Sequence, residues 1–312
     1  MKNNGVVIVT YNRLNLLKEC LSAVFAQVYP FTEIIVVNNA SMDGTKEYLD
    51  SLQSTEKTHL SVIHSAENLG GSGGFYLGME TARAKGFDYI LIIDDDAIIQ
   101  PDYMKRLIEY VDNHMNENIE ALAGAVMLNG KIDITHRRTV KNKLLFTEPP
   151  VSEIYYNKDS FRCDTATFCG LLIRGDVFQR IGLPKKEYFL WYDDTEYSLR
   201  LKGITVIPPA KLNHKTKPAP QNASLLERST WRHYYGYRNR YDTARIHFGL
   251  LSTLCISLEY HFLSLLSRLM WFNPQKRKIA KFNIEMIRDA LNDAKSGKLG
   301  KNLKYTPNTK ID

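Results

Sequence analysis

The apolar run Tyr89-Ile90-Leu91-Ile92-Ile93 stops on three consecutive aspartates, Asp94-Asp95-Asp96. A β-branched run of that length predicts a strand buried on both faces, as in a mostly parallel sheet covered by helices. Carboxylates at its carboxyl end emerge where open α/β sheets place their ligands. Three like charges there repel one another and favour a cation. As a D-x-D pair, Asp94 and Asp96 offer hard oxygen ligands to Mg²⁺ or Mn²⁺ and leave coordination positions for phosphate oxygens. Taken alone, the triplet also fits a solvated acidic turn capping the next helix.

What precedes the triplet repeats strand and helix signals. Strands are expected at Val6 to Thr10, Glu33 to Val37 and Leu60 to His64. Helices are expected at Asn12 to Val28, from Thr45 to about Leu52, and from about Phe75 to Lys85 after a glycine-rich loop. This β-α-β-α-β-α-β order implies a mostly parallel sheet with helices on both faces. Further along, strands are expected near Ala121 to Leu128 and Thr165 to Arg174. Helices follow at Phe178 to Leu183 and Asp193 to Lys202. A strand at Ile204 to Ile207 is expected to break at Pro208-Pro209, and Lys215 to Ala223 to form a loop. From Leu225 onward the pattern is helical. The expected division is an α/β domain over residues 1–220, which carries the acidic triplet, and a basic helical extension over 221–312.

The net charge of +7 is unevenly spread. From Trp231 onward, 15 Lys and Arg face 6 Asp and Glu, so the preceding 230 residues carry a net −2. A near-neutral body with a basic tail suggests contact with something anionic, phospholipid or nucleic acid. The stretch Ile246 to Phe272 is the most apolar, yet it holds Glu259, His261 and Arg268, and Lys276-Arg277-Lys278 follows. Its uncharged run is too short for a bilayer span, leaving an interfacial amphipathic helix or one packed on protein. Met1 to Gly5 leads directly into a strand, so no signal peptide is expected. The four cysteines, Cys20, Cys163, Cys169 and Cys255, show no metal spacing and are expected as free thiols without a chemical role.

Five signals stand in fixed order. They are Val9-Thr10-Tyr11-Asn12-Arg13, then Val37 to Thr45 (VNNASMDGT), then Asn68-Leu69-Gly70-Gly71-Ser72-Gly73-Gly74-Phe75. The aspartate triplet is fourth, and Trp191-Tyr192-Asp193-Asp194-Thr195-Glu196 through Arg200 is fifth. The glycine segment lacks the third glycine of a dinucleotide fingerprint, since Tyr76 stands there, and it lacks the Gly-Lys-Ser/Thr of a P-loop.

Together these residues, over about Gly5 to Arg240, resemble the GT-A-fold family 2 of inverting glycosyltransferases, most like bacterial galactofuranosyltransferases and next rhamnosyltransferases. The resemblance implies an α/β GT-A fold with a helical carboxy-terminal extension. It also implies transfer of a sugar from a nucleotide diphosphate, UDP-galactofuranose as first expectation and dTDP-rhamnose as second. The acceptor would be a hydroxyl of a cell-surface or lipid-linked glycan. A non-catalytic sugar-nucleotide-binding subunit is the rival from another class.

By the resemblance, Asp94, Asp96 and His214 would hold Mn²⁺ or Mg²⁺. Thr10, Tyr11, Arg13, Asn39, Asn68, Gly71, Ser72, Gly73, Asp94 and Asp95 would line the donor. Asp194 would act as general base, with Asp193 and Glu196 positioning acceptor hydroxyls and Trp191 stacking on the acceptor. Asn38 and Asn39 replace aspartates common in the family, while Asp43 is expected to order its loop. The arginine-aromatic segment Trp231 to Tyr241 fits packing plus a phosphate-bearing acceptor better than nucleic acid. The tail then fits an enzyme on the inner face of a cell membrane, with a homo-oligomer also open.

Overall fold

The computed structural model describes residues 2–52, 58–216, 226, 229–274, 276–307 and 309. It comprises two compact units. One holds Met1–Thr139, Pro149–Lys186 and Asp194–Lys217; the other holds Val140–Glu148, Glu187–Asp193 and Pro218–Asp312. The helical unit thus takes two short upstream segments, 140–148 and 187–193, that a single boundary near residue 220 would assign to the first domain. Most of the expected loop Lys215 to Ala223 lies outside the described residues.

In the first unit β1 (Asn4–Thr10), α1 (Leu14–Phe25), β2 (Glu33–Asn38), α2 (Thr45–Ser51), β3 (His59–His64), α3 (Gly70–Ala84) and β4 (Tyr89–Asp94) follow in order. The chain continues through β5 (Ala97–Ile99), α4 (Tyr103–Asn113), β6 (Ala121–Leu128), β7 (Lys131–Ile132) and β8 (Arg137–Arg138). Then come β9 (Phe161–Cys163), β10 (Thr165–Ala166), β11 (Leu171–Arg174), α5 (Val177–Ile181), α6 (Asp193–Ser198) and β12 (Ile204–His214). The main sheet runs β3-β2-β1-β4-β11-β6-β12-β5. Its first four strands are parallel, as are β6 and β12, while β11 and β5 are antiparallel to their neighbours.

The two-residue period of the strands distributes the core. Val6 and Ile8 pack with α1, α2 and α4 on one face. Val7 and Val9 pack with α3, α5 and Tyr197 of α6 on the other.

Three expectations give way to longer-range packing. The glycine segment is the first turn of α3, which starts at Gly70 and not Phe75. Its glycines admit β1: a Cβ on Gly74 would stand 2.5 Å from Val9 Cγ1, and one on Gly78 would stand 2.4 Å from Val7 Cγ1. Second, β12 runs through Pro208-Pro209 to His214, shifting register between Ile207 and Lys211. A bulge tolerates proline because it needs no ladder donor there. Third, α6 ends at Ser198, earlier than Lys202.

The second unit contains α7 (Arg232–His247), α8 (Gly249–Met270) and α9 (Arg277–Lys295). One face of α8, with Ser252, Thr253, Ile256, Ser257 and Tyr260, is buried against α7 and α9. Arg240 of α7 holds Glu259 through two hydrogen bonds of 2.9 and 2.8 Å. The Tyr260 hydroxyl donates to the Tyr237 carbonyl at 2.9 Å. The opposite face carries an exposed row of Leu250, Leu254, Leu258, Phe262, Leu265 and Leu269.

Candidate active site

Strand register gathers the acidic centre. Val9 pairs with Asp94, so Thr10 at the end of β1 lies beside Asp95, and its hydroxyl donates to Asp95 Oδ2 at 2.7 Å. Arg13 Nη1 bridges Asp95 Oδ1 at 3.2 Å and Asp96 Oδ2 at 2.7 Å. From the far edge, β12 pairs His214 with Ala97 of β5, which sets its Nε2 3.3 Å from Asp96 Oδ1. Residues 10, 13, 94, 95, 96 and 214 thus converge although the last is 118 positions from its nearest partner. Tyr11 stands at the rim, 39% exposed.

Burial and the neighbouring Asp96 and Asp95 charges push the Asp94 carboxyl up to about 7. Burial likewise lifts Asp95 to about 6. Asp96 is also buried, but contact with His214 and the charges of His214 and Arg13 outweigh that and hold its carboxyl below the usual range. Burial works against the His214 imidazolium, and Asp96 more than compensates, raising its pKa. The residues fit a divalent cation: His214 Nδ1 is a buried polar atom without a hydrogen-bond partner, and Asp96 Oδ1 is met only by His214 Nε2 at 3.3 Å. Three carboxylates against one half-exposed arginine and the His214 imidazole leave a site short of positive charge.

Sequence reasoning missed two neighbours of this centre. Ligand atoms of His136, Cys169 and His214 all lie within 4.8 Å of one another, and the His136 and His214 ring centroids are 5.0 Å apart. Cys169, expected to carry no chemistry, therefore joins His136 and His214 in a group that could hold a metal ion. Nothing local in the sequence marks them, because β6, β8 and β11 bring them together only through the fold.

At the amino end of α3 the first-turn N–H groups of Gly71 and Ser72 have no intrahelical partner, and the helix dipole adds positive potential. A Cβ on Gly71 would meet nothing within 4 Å, so this glycine faces open space. Ser72 Oγ is buried without a hydrogen-bond partner. Asn68 accepts from Gly70 N–H at 2.8 Å and so caps the helix.

Asn39 is committed elsewhere than a base. Its carbonyl accepts from Leu69 N–H at 2.9 Å, and its amide donates to the Gly70 carbonyl at 2.9 Å and to Asn68 Oδ1 at 3.2 Å. Asn38 likewise accepts from Ser41 N–H at 3.0 Å and contacts His64 Nδ1 at 3.0 Å. Both side chains knit loops together. Asp43 accepts from Leu14 N–H at 2.9 Å, which caps α1 from a distant loop, and from Thr45.

Asp194, the second residue of α6, belongs to the same unit as the acidic centre. Burial raises its carboxyl pKa, against the pull of Thr195 N–H and the Arg138 charge. Arg138 lies in the β8–β10 ribbon, where it pairs with Thr165, and Ser198 of α6 bonds the adjacent Ala166. The same ribbon leads to His136, whose Nδ1 meets Thr167 Oγ1 at 2.7 Å, and through Thr167 to Cys169, so α6 and the His136–Cys169–His214 group share one support.

Glu196 is a correction. It is buried, and Arg200 grips both its oxygens, with Nε donating to Oε1 at 2.9 Å. Arg200 also ties down the carbonyls of Ile181 and Leu183 at 2.9 and 2.8 Å. Glu196 therefore anchors α6 and does not present itself to an acceptor. Trp191 and buried Asp193 belong to the helical unit. Trp191 is 40% exposed, with its ring edge-on to His233 at 5.3 Å.

Comparison with known proteins gives the family and the fold. The family profile described as "Glycosyl transferase family 2" matches residues 5–182. Galactofuranosyltransferase GlfT1 of Mycolicibacterium smegmatis is 29% identical over 196 residues, 62% of this chain and 64% of GlfT1. That match thus covers less than two thirds of GlfT1's length. The dTDP-rhamnosyl transferase RfbF of Shigella flexneri is 28% identical over 291 residues, 89% of this chain and 90% of RfbF. Among solved structures, GalNAc-T7 with UDP, GalNAc and Mn²⁺ superposes with a TM-score of 0.62 at 14% identity, covering 95% of this chain and 58% of that one. The fold is accordingly GT-A-like, a mostly parallel mixed sheet with helices on both faces and helices at the carboxyl end. By its residues 5–182 the chain belongs to glycosyl transferase family 2.

Proposed function

We propose that this transferase is a metal-dependent inverting hexosyltransferase that uses a nucleotide diphosphate sugar, UDP-galactofuranose as first choice. The observation that carries this reading is the convergence of Asp94, Asp95 and Asp96 with Thr10, Arg13 and His214 at one end of the sheet. Asp94, Asp96 and His214 would hold Mn²⁺ or Mg²⁺, with Asp95 fixed behind them by Thr10 and Arg13. Bound there, a divalent cation neutralises charge that develops on the departing diphosphate. The open backbone at Gly71 and Ser72 donates N–H groups to phosphate oxygens, as helix amino ends do, while Gly73 closes the first helical turn. Tyr11 walls the base. Asp194 takes the proton of the acceptor hydroxyl as its oxygen bonds the anomeric carbon and the bond to diphosphate breaks. Its raised pKa makes it a stronger base than an ordinary aspartate.

A screen of nucleotide sugars by thermal shift, with and without Mn²⁺, followed by nucleotide diphosphate release, tests this. Stabilisation by no nucleotide in the presence of Mn²⁺ would remove the reading. dTDP-rhamnose is the second donor, favoured because the similarity to RfbF extends over 89% of the chain.

Metal binding should depend on pH in a definite direction. A ligating carboxylate must be ionised and a ligating imidazole neutral, so cation binding displaces the protons that Asp94 and His214 retain. With Asp94 titrating at about 7, affinity for Mn²⁺ should rise between about pH 6 and 8 and flatten above. Calorimetry in buffers of different ionisation enthalpy should show proton release that shrinks across the same interval.

The acceptor in this reading is a hydroxyl of a lipid-linked or cell-surface glycan, met at the inner face of the membrane. Support comes from α8, long and apolar enough to cross a bilayer, whose Tyr260 and Glu259 are nevertheless bound to α7. Lying flat, it offers its leucine row to acyl chains while Lys276, Arg277 and Lys278 meet anionic headgroups. Replacing Leu254 and Leu258 by Glu should cut co-sedimentation with phosphatidylglycerol vesicles by about tenfold or more. Unchanged sedimentation, or a salt-insensitive dimer in its place, would count against the membrane.

A further inference from the structure

Three of the four residues from Phe189 to Tyr192 hold a left-handed backbone, with φ of 64° at Phe189, 64° at Trp191 and 67° at Tyr192. None is glycine. Bulky side chains keep this conformation only where the surroundings over-determine it, and such strain gathers at functional sites. In the helical unit the surroundings are identifiable. The Asn239 amide of α7, fully buried, donates to the carbonyls of Tyr188, Leu190 and Trp191 at 3.0, 3.0 and 2.9 Å. Arg238 Nε donates to Asn239 Oδ1 at 3.0 Å and so fixes which way that amide points. Its Nη2 donates to the carbonyls of Glu187 and Tyr188 at 3.3 and 3.0 Å. From the strap itself, the Tyr188 hydroxyl donates to Asp242 Oδ2 at 3.0 Å and contacts Thr243 Oγ1 at 3.0 Å.

One turn before Asn239, Gly236 seats the Trp191 indole: a Cβ there would stand 3.0 Å from Trp191 Cε3. These groups have no apolar alternative. An unsatisfied amide in the core of α7 is costly, and residues 187–192 relaxed to ordinary φ values would leave the Asn239 amide without acceptors and take two from Arg238, which would keep Asn239 Oδ1 and the Gly300 carbonyl. The buried donors and the strained backbone therefore specify each other. The strap carries Trp191 and runs without a break into Asp193 and Asp194.

We propose that Asn239, oriented by Arg238, is a positioning residue. It locks residues 187–192 in the strained form that fixes Trp191 as a platform for the acceptor. This rests on the glycosyl-transfer reading above and deepens it: the helical extension contributes to the acceptor side of the reaction as well as to membrane contact. Arg238 is thereby withdrawn from phosphate binding, since its donors are taken by backbone carbonyls and Asn239.

The test uses the full chain with the donor found in the screen. Asn239→Ala should lower kcat for transfer by about 10- to 100-fold and raise the acceptor KM, because displacing a reacting group by about 1 Å costs that much. Binding of Mn²⁺ with the matching nucleoside diphosphate should stay within about twofold, a split that general destabilisation does not produce. In a Trp231→Phe, Trp271→Phe background, acrylamide quenching of Trp191 should increase. Tyr188→Phe, which keeps side-chain volume, and Gly236→Ala, which displaces the indole, should move the same readouts in the same direction by less. If Asn239→Ala does not fold, these two decide the matter. Folded variants with wild-type kcat, acceptor KM and Trp191 quenching overturn the positioning role while leaving the transferase reading intact. A wild-type chain that releases no nucleotide diphosphate with any donor overturns the transferase reading, and the positioning role falls with it.

Discussion

Asp194→Asn lowers kcat by about 10²–10⁴ and leaves the affinity for Mn²⁺ and donor near the wild-type value. The expectation follows from what the amide can and cannot do. It keeps the shape of the side chain and can still accept from Thr195 N–H, which meets Oδ1 at 2.6 Å, so α6 keeps its start. It cannot take a proton. In the wild type, burial holds the Asp194 pKa above the ordinary aspartate value, and the group serves as base only when ionised. The wild-type rate should therefore rise with pH through that pKa and level off, and the acidic limb should vanish in the variant. Transfer kinetics across pH, beside nucleotide binding on the same samples, check both halves. Turnover unchanged in Asp194→Asn would remove this carboxylate from the chemistry.

The alternation of strands and helices and the position of the aspartates were legible because both follow from local patterning. Tyr89 to Ile93 is buried on both faces as its branching implies, and Asp94 to Asp96 stand at the strand's end. What local patterning cannot give is a side chain's partner. Glycines 70–74 suggest a loop when intrinsic propensity is weighed alone. In the fold they make a helix turn, because Gly74 and Gly78, four apart, let α3 approach Val9 and Val7 of β1.

Glu196 and Asn39 mislead for the same reason. Each stands in a motif with a functional reading, and each is held by an internal partner, Arg200 and the Leu69–Gly70 backbone respectively. For Glu196 a signal existed: Arg200 follows at i+4, a spacing that pairs on a helix face. For His136 and Cys169 none existed, since they reach His214 through strand topology. The arginine-aromatic segment of α7 was compatible with phosphate recognition by composition. The hydrogen bonds of Arg238 and Asn239 turn it inward, toward the strap.

Asp94→Asn should abolish Mn²⁺-dependent nucleotide binding, lower transfer by about 10²–10³ or more, and make the protein more stable. Function and stability are opposed at this residue because the acidic centre is assembled for a cation. In the metal-free fold, burial and the flanking Asp95 and Asp96 charges hold the Asp94 proton to about pH 7, far above its value in an unfolded chain. A carboxyl whose folded pKa is raised binds more protons folded than unfolded. Stability is then lost as pH rises from about 4 to about 7 and stays lost above. Asparagine has the same shape without that penalty, so the variant should gain on the order of 1–4 kcal/mol at pH 8 and little at pH 4. Saturating Mn²⁺ should stabilise the wild type alone, because only its ionised carboxylate adds binding energy to the folded state. Urea unfolding of both proteins at pH 4 and pH 8, with and without Mn²⁺, supplies the comparison. A variant less stable than wild type at pH 8 without metal would mean that the triplet is held by partners other than the awaited ion.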